Sequence, residues 1–228
     1  MFNWLKKLVK PEVVYIPAPA QTEIPSEPLP KLHERKIHLG IVVGHDKKDG
    51  GATMHGSGMS EYEYGKKVLE SCLKQAKDFP GLEVTGIFRD GHGIRGAYNE
   101  AVAKKCDAVV ELHFNASQGS ATGSLTLCTP DVNDVDFAHE VHNNICKAFN
   151  RIGQSRGVMV IGKTTRGSAC VYAFKDGVNC LVEPFFGDNK AEAELGIKVL
   201  DTYARSILQG TFNWGVKSDL ISARQIQG

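Results

Sequence analysis

Between Asp107 and Ser117 the chain reads Asp-Ala-Val-Val-Glu-Leu-His-Phe-Asn-Ala-Ser. Ala108 to Leu112 is mostly apolar, short and bounded by polar residues, which is the pattern of a strand buried inside a sheet. Where that strand should end, it delivers His113 and Asn115, and the chain opens into Ser117-Gln-Gly-Ser120. In open α/β sheets ligands collect at the carboxyl ends of strands. A titratable, metal-competent ring at that place is a candidate for chemistry.

The rest of the chain supplies partners for such a strand. Strands are predicted at 37–43, 82–88, 108–112, 124–128, 158–161 and 178–182, and helices at 60–78, 94–105, 134–152 and 190–208. In the third helix Phe137, Val141, Ile145 and Phe149 fall on one face. Strands interleaved with helices of this size predict an α/β fold, a single domain whose mainly parallel sheet of about six strands is covered by helices on both faces.

Composition bounds what that domain can do. With 228 residues the chain can bury a sizeable core and suits one domain with an appendage. A formal net charge of +1 offers no basic field for nucleic acid, so no nucleic-acid partner is expected. No apolar run approaches the roughly 18–20 residues that span a bilayer. The six cysteines are spread singly without a CxxC pair, and most lie in or beside apolar runs, where they read as small buried hydrophobes. Scattered free thiols also fit synthesis in a reducing compartment.

Residues 1–35 differ in character from the remainder of the chain. Trp4, Leu5, Leu8 and Val9 sit at helical spacing with Lys6, Lys7 and Lys10 largely opposite, a short amphipathic segment suited to weak membrane-surface contact through residues 1–10. A frayed terminus explains it equally well, since isolated helices below ~12 residues are marginal. As a signal peptide it is poor, because the lysines interrupt the apolar run and Pro11 closes it. A Pro-rich linker comes next, and the folded domain is expected over 36–228.

Three further residues share the strand-end placement of His113 or a neighbouring position. The first strand ends in Gly44-His45-Asp46 and runs into a glycine-bearing loop. Ser60 and Glu63 have the spacing of a capping box, which commits Glu63 to backbone amides and leaves Glu61 free to point elsewhere. The last strand ends at Glu183, ahead of Phe185 and Phe186, where partial desolvation would raise a carboxylate pKa. Two histidines and a glutamate with a fourth position open to water form the ligand set of a hydrolytic zinc site. Glu183 is then the candidate proton acceptor. Taken singly, each residue has a duller explanation, a hydrogen-bonded structural histidine or a solvated glutamate. The set is stronger than its members because they recur at the same kind of place.

Other histidines fit less well. Ala138-His139-Glu140-Val141-His142 spaces its histidines three apart, unlike HExxH, and reads as a solvated helix face. His55 and His92 lie in glycine-rich loops, at the edge of a site or simply exposed.

Taken in order, Gly44-His45 with Asp49-Gly-Gly51-Ala52, Ser60-Glu61, Phe88-Arg89-Asp90 with Arg95 and Asn99, Glu111-Leu-His113-Phe-Asn115-Ala116, and Val182-Glu183-Pro-Phe185-Phe186-Gly-Asp-Asn189 resemble the zinc-dependent N-acetylmuramoyl-L-alanine amidases of the type 3 family. The resemblance runs from about residue 36 to 210. It implies one zinc ion held at His45, Glu61 and His113, and Glu183 as the catalytic glutamate. The activity implied is hydrolysis of the amide joining N-acetylmuramic acid to the first L-alanine of the peptidoglycan stem. Asn115 and Arg95 are the substrate-contact candidates. The chain departs from the family at Asp46 and Lys47, where glycines are commoner, at Gly50 in place of proline, and at Phe88 in place of threonine. These departures bear on the substrate rim, not on the metal positions.

Two alternatives accompany that expectation: a non-catalytic wall-binding or virion structural module on the same fold, and a zinc carboxypeptidase acting on stem peptides. The expected setting resembles that of a phage endolysin, made in the host cytoplasm and released to the wall at lysis. A bacterial enzyme exported by another route is the alternative.

Overall fold

The computed structural model describes residues 36–152 and 155–221. The amphipathic segment and Pro-rich linker expected over 1–35 lie outside the described residues. A six-stranded sheet organises the rest, built from β1 (Ile37–Val43), β2 (Leu82–Phe88), β3 (Ala108–Leu112), β4 (Leu125–Cys128), β5 (Gly157–Val160) and β6 (Val178–Glu183) in the order β2-β1-β3-β6-β4-β5. β2, β1, β3 and β6 are parallel, β4 runs antiparallel to β6, and β5 is parallel to β4. The mainly parallel six-stranded α/β sheet expected from the sequence is what the chain forms.

The two-residue period of a strand sends alternate side chains to opposite faces, and each face has its own core. Ile37, Leu39, Ile41 and Val43 of β1 join Val110, Leu112, Cys180 and Val182 under α1 (Glu61–Gln75), α3 (Val132–Ala148) and the C-terminal helices. Val42, Val109 and Leu181 face the other way, against Ala97, Tyr98 and Ala101 of α2 (Gly93–Ala103) and Cys170 and Val171 of α4 (Ser168–Val171). Helices therefore cover both faces. All six cysteines are buried and unpaired, as small hydrophobes would be.

Where the helices end differs from the expectation in physically clear ways. α3 stops at Ala148, not 152, because Asn150 adopts a left-handed backbone (φ 53°), a conformation asparagine tolerates better than most residues. That turn carries Arg151 inward, where it pairs with the buried Glu192 and donates to the carbonyl of Pro184 at 2.7 Å. The predicted closing helix over 190–208 is two helices, α5 (Lys190–Lys198) and α6 (Leu200–Lys217), broken at Val199. Valine is no helix breaker by chemistry, so the sequence carries no signal for that break. The short α4 has no periodic signal either.

The His139–His142 stretch needs a correction. His139 is exposed, but His142 is buried between Thr126 and Ser155, at 3.0 Å from each hydroxyl. Burial pushes its pKa down to about 4. Among the described residues, no helix is long and apolar enough to cross a membrane.

Candidate metal centre

The topology fixes where a site can form. From β1 the chain crosses to β2 on one side, and from β3 it crosses to β4 on the other, which opens a crevice at the carboxyl ends of these neighbouring strands. Val43 pairs with Leu112 across that crevice, so the residues just beyond, Gly44-His45 and His113, are neighbours by register. Leu112 in turn pairs with Val182, and one step further sets Glu183 beside His113. Three strand ends, 37–43, 108–112 and 178–183 in the chain, thus deliver three of the candidate residues to one edge.

His45 leaves β1 with a left-handed backbone (φ 64°), which turns its ring back toward the crevice. The loop behind it is shaped by Asp46, whose Oδ1 accepts from the amides of Lys48 at 2.7 Å and Asp49 at 2.9 Å. Lys47 is tied to Asp90, which accepts from its amide at 3.0 Å and also from the Tyr62 hydroxyl at 2.8 Å. Two of the four positions that depart from the resemblance, Asp46 and Lys47, are therefore structural parts of this loop.

Glu61 arrives from the first turn of α1. Ser60 and Glu63 form the capping box between them, and Glu63 points to the helix start as expected. Glu61, only 6% exposed, turns inward instead. Its Oε1 accepts from Ala52 N at 2.9 Å and lies 3.4 Å from His45 Nε2. Its Oε2 lies 2.9 Å from His113 Nδ1 and 3.2 Å from Phe114 N. The two imidazoles meet edge to face with centroids 5.0 Å apart. One ligand atom from each of His45, Glu61 and His113 lies within 4.8 Å of the others.

Charge at this cluster is strongly biased. Burial works to raise Glu61, but hydrogen bonds from His113 and His45 outweigh it and hold the carboxyl at about 2. Burial works to lower His113, while Cys170, Glu111 and Glu61 around it hold the ring well above the usual imidazole range. A field that favours an imidazolium here favours a divalent cation for the same reason. The donor set, two ring nitrogens and a carboxylate, suits zinc. Gly51 supports the same conclusion: with φ 78° it brings bare backbone against the cluster, where a Cβ would sit 2.6 Å from His45 Nε2 and 2.8 Å from Glu61 Oε1. The residues present fit a bound ion.

Glu183 stands beside this cluster, partly buried. Its Oε2 accepts from Asn115 Nδ2 at 2.6 Å. Burial raises its pKa, His113 lowers it, Glu61 raises it and Arg166 lowers it, with a net upward shift. Both residues line a groove of about 400 Å³ together with His45, Glu61 and His113. Leu125, Leu127, Met159, Ile161 and Leu181 form its apolar wall, and Arg166 and Cys170 complete it.

Arg95 is placed differently. It lies exposed on α2 and does not line the groove; Arg166, unmarked by any motif, is the arginine that does. His92 is exposed and bonds the Phe88 carbonyl at 2.7 Å, while exposed His55 donates its backbone amide to the Gly187 carbonyl at 2.7 Å. Neither joins the cluster. A second trio, Glu111, His113 and Cys170, also lies within 4.8 Å. There, however, Glu111 Oε1 already accepts from Arg89 at 3.0 Å, and a cation would face that guanidinium. The larger hollow of about 770 Å³ lies away from these strand ends, between Asp107, Asp134, Phe174 and Trp214.

No family model and no curated protein matches the chain. Solved structures do. The catalytic domain of CwlV, an N-acetylmuramoyl-L-alanine amidase from Bacillus (Paenibacillus) polymyxa var. colistinus, superposes with a TM-score of 0.68 at 21% identity, over 78% of this chain and 97% of that one. The N-acetylmuramoyl-L-alanine amidase from Clostridium difficile 630 gives 0.69 at 19% identity, over 79% and 97%. The catalytic domain of the CD27L endolysin, which targets Clostridia difficile, gives 0.57 at 24% identity, over 78% and 97%. With its six-stranded sheet and the crevice at the ends of β1 and β3, this chain has the fold of the N-acetylmuramoyl-L-alanine amidases.

Proposed function

We propose that this protein is a zinc-dependent N-acetylmuramoyl-L-alanine amidase, hydrolysing the amide between the lactyl group of N-acetylmuramic acid and the first L-alanine of the peptidoglycan stem. The observation that carries the reading is the convergence of His45, Glu61 and His113 within 4.8 Å, beside Glu183, on a fold shared with such amidases. Residues 36–228 form the catalytic domain in this reading.

His45 through Nε2, Glu61 through its carboxylate and His113 through Nδ1 would hold the ion. Bound there, zinc supplies Lewis acidity toward water and toward the amide carbonyl. Glu183 takes the proton of the attacking water and returns it to the nitrogen of the departing alanine. Its upward-shifted pKa suits the first half of that task, since a more basic carboxylate accepts the proton more readily. Asn115 fixes the orientation of Glu183 through the 2.6 Å hydrogen bond. The apolar wall of Leu125, Leu127 and Met159 is suited to the methyl groups of lactate and alanine.

Retention of all four groups speaks against a non-catalytic module. A lytic, endolysin-like setting is supported by the fold shared with the CD27L domain and by the six unpaired thiols.

The test uses purified protein and intact peptidoglycan sacculi. New amino-terminal alanine is expected in the digest, lost with a chelator and regained with zinc. Release of carboxy-terminal residues from stem peptides instead would assign a carboxypeptidase. No cleavage by the zinc-loaded protein would rule out the enzymatic reading.

A further inference from the structure

A glutamate in the middle of a fully buried strand needs an explanation. Glu111 lies in β3, every residue of which is buried, and is itself 0% exposed. Burying a carboxylate carries a large desolvation penalty even when it is paired. An apolar residue would serve the core at least as well. Alternation along β3 puts Glu111 on the same face as His113, two residues on.

The contacts made there are specific. Arg89 Nη1 donates to Glu111 Oε1 at 3.0 Å and Tyr98, from α2, donates its hydroxyl to Oε2 at 2.7 Å. Both supports are themselves restrained: Tyr98 is 1% exposed and the Arg89 side chain 17%. Glu111 Oε1 also lies 3.3 Å from His113 Nε2. The opposite ring atom, Nδ1, is the one that faces Glu61.

We propose that Glu111 is a positioning residue for His113. It accepts a hydrogen bond from Nε2–H, which leaves the Nδ1 lone pair directed at the cluster shared with His45 and Glu61. Arg89 and Tyr98 hold Glu111 in turn, so the ring is fixed from a buried, three-residue support. His45 has the reverse orientation and a looser one: its Nε2 faces Glu61, and its Nδ1 lies 3.9 Å from Asp49, a side chain 83% exposed. The two imidazoles are thus held unequally, His113 rigidly and His45 by a solvent-facing loop. This inference rests on the metal-ligand assignment proposed above.

The test measures zinc affinity of the full chain by competition with a chromophoric chelator. Glu111→Gln keeps the volume and removes the charge. The triple variant Arg89→Met/Tyr98→Phe/Glu111→Leu removes the whole polar support at once, because replacing a buried ion pair by apolar residues of similar size is often neutral for stability. Loss of a carboxylate behind a ligating histidine typically weakens metal binding about 10–100-fold, and that loss is expected in whichever variant keeps a cooperative melt. Nitrogen NMR of the zinc-loaded wild type should place the remaining His113 ring proton on Nε2. A folded variant with wild-type zinc affinity overturns the role of Glu111 alone; a ring proton found on Nδ1 overturns that role together with the assignment of Nδ1 as the ligand atom of His113. A wild type that binds no zinc overturns the ligand assignment itself, and this role with it.

Discussion

Asn115 and Glu183, remote along the chain, meet at 2.6 Å because β3 and β6 are adjacent and in register. The pairing continues past the strand ends, with Asn115 N donating to the Phe185 carbonyl at 2.8 Å. Donation to a carboxylate favours its charged form, so removing the Asn115 amide should lift the Glu183 carboxyl further above its already raised value. A general base works when deprotonated. Activity should therefore fall as pH drops through the raised Glu183 pKa, above the ordinary value of 4.5. In Asn115→Ala the acidic limb of kcat/KM should move to higher pH. A limb that stays in place, or moves down, would contradict the assignment.

Glu183→Gln removes the base and keeps the shape. Zinc content should match the wild type, since Glu183 lies outside the three-residue cluster. Turnover on peptidoglycan should fall about 10²–10⁴-fold, the usual contribution of a positioned acid or base. Parallel metal analysis and alanine-release assays separate the two effects.

Much of this geometry was legible in the residues. The apolar runs at 37–43, 108–112 and 178–182 marked the parallel core of the sheet, and the polar residues ending them marked His45, His113 and Glu183. The Ser60–Glu63 spacing separated the capping glutamate from the inward one, and both side chains lie as that spacing implies. What stayed hidden depended on tertiary neighbours. Arg166 comes from an irregular loop with no motif, while Arg95, set in a motif-like stretch, lies away from the groove. The break at Val199 carries no glycine or proline. Glu111 did leave a signal, a charge inside an apolar run, but its meaning needed Arg89 and Tyr98 brought alongside.

The pH dependence of metal binding is set by the two shifts at the cluster. His113 is raised, so in the metal-free protein its contribution to stability is present below 6.5 and lost as pH rises through the folded value. Glu61 is depressed, so its contribution is present above 4.5 and lost as pH falls toward about 2. Between those limits a proton on His113 competes with zinc. Binding should release that proton, and affinity should weaken as pH falls. Calorimetric titrations in buffers of different ionisation enthalpy should report proton uptake by the buffer; identical heats would contradict the shift.

Gly51 offers a steric test of the same cluster. Gly51→Ala introduces a Cβ 2.6 Å from the His45 ring at a φ of 78°. A left-handed backbone costs an L-residue about 1–2 kcal/mol, and the displaced ring costs metal affinity in addition. A lower melting midpoint together with weaker zinc binding is expected. Stability lost with affinity intact would mean that His45 does not hold the ion.

The most direct measurement is anomalous diffraction at the zinc edge from crystals of the zinc-loaded protein. One peak should lie between His45 Nε2, Glu61 and His113 Nδ1, at about 2.0–2.2 Å from each, the usual bond lengths of zinc to nitrogen and oxygen. A peak beside Glu111 and Cys170, or none at the ends of β1 and β3, would contradict the account.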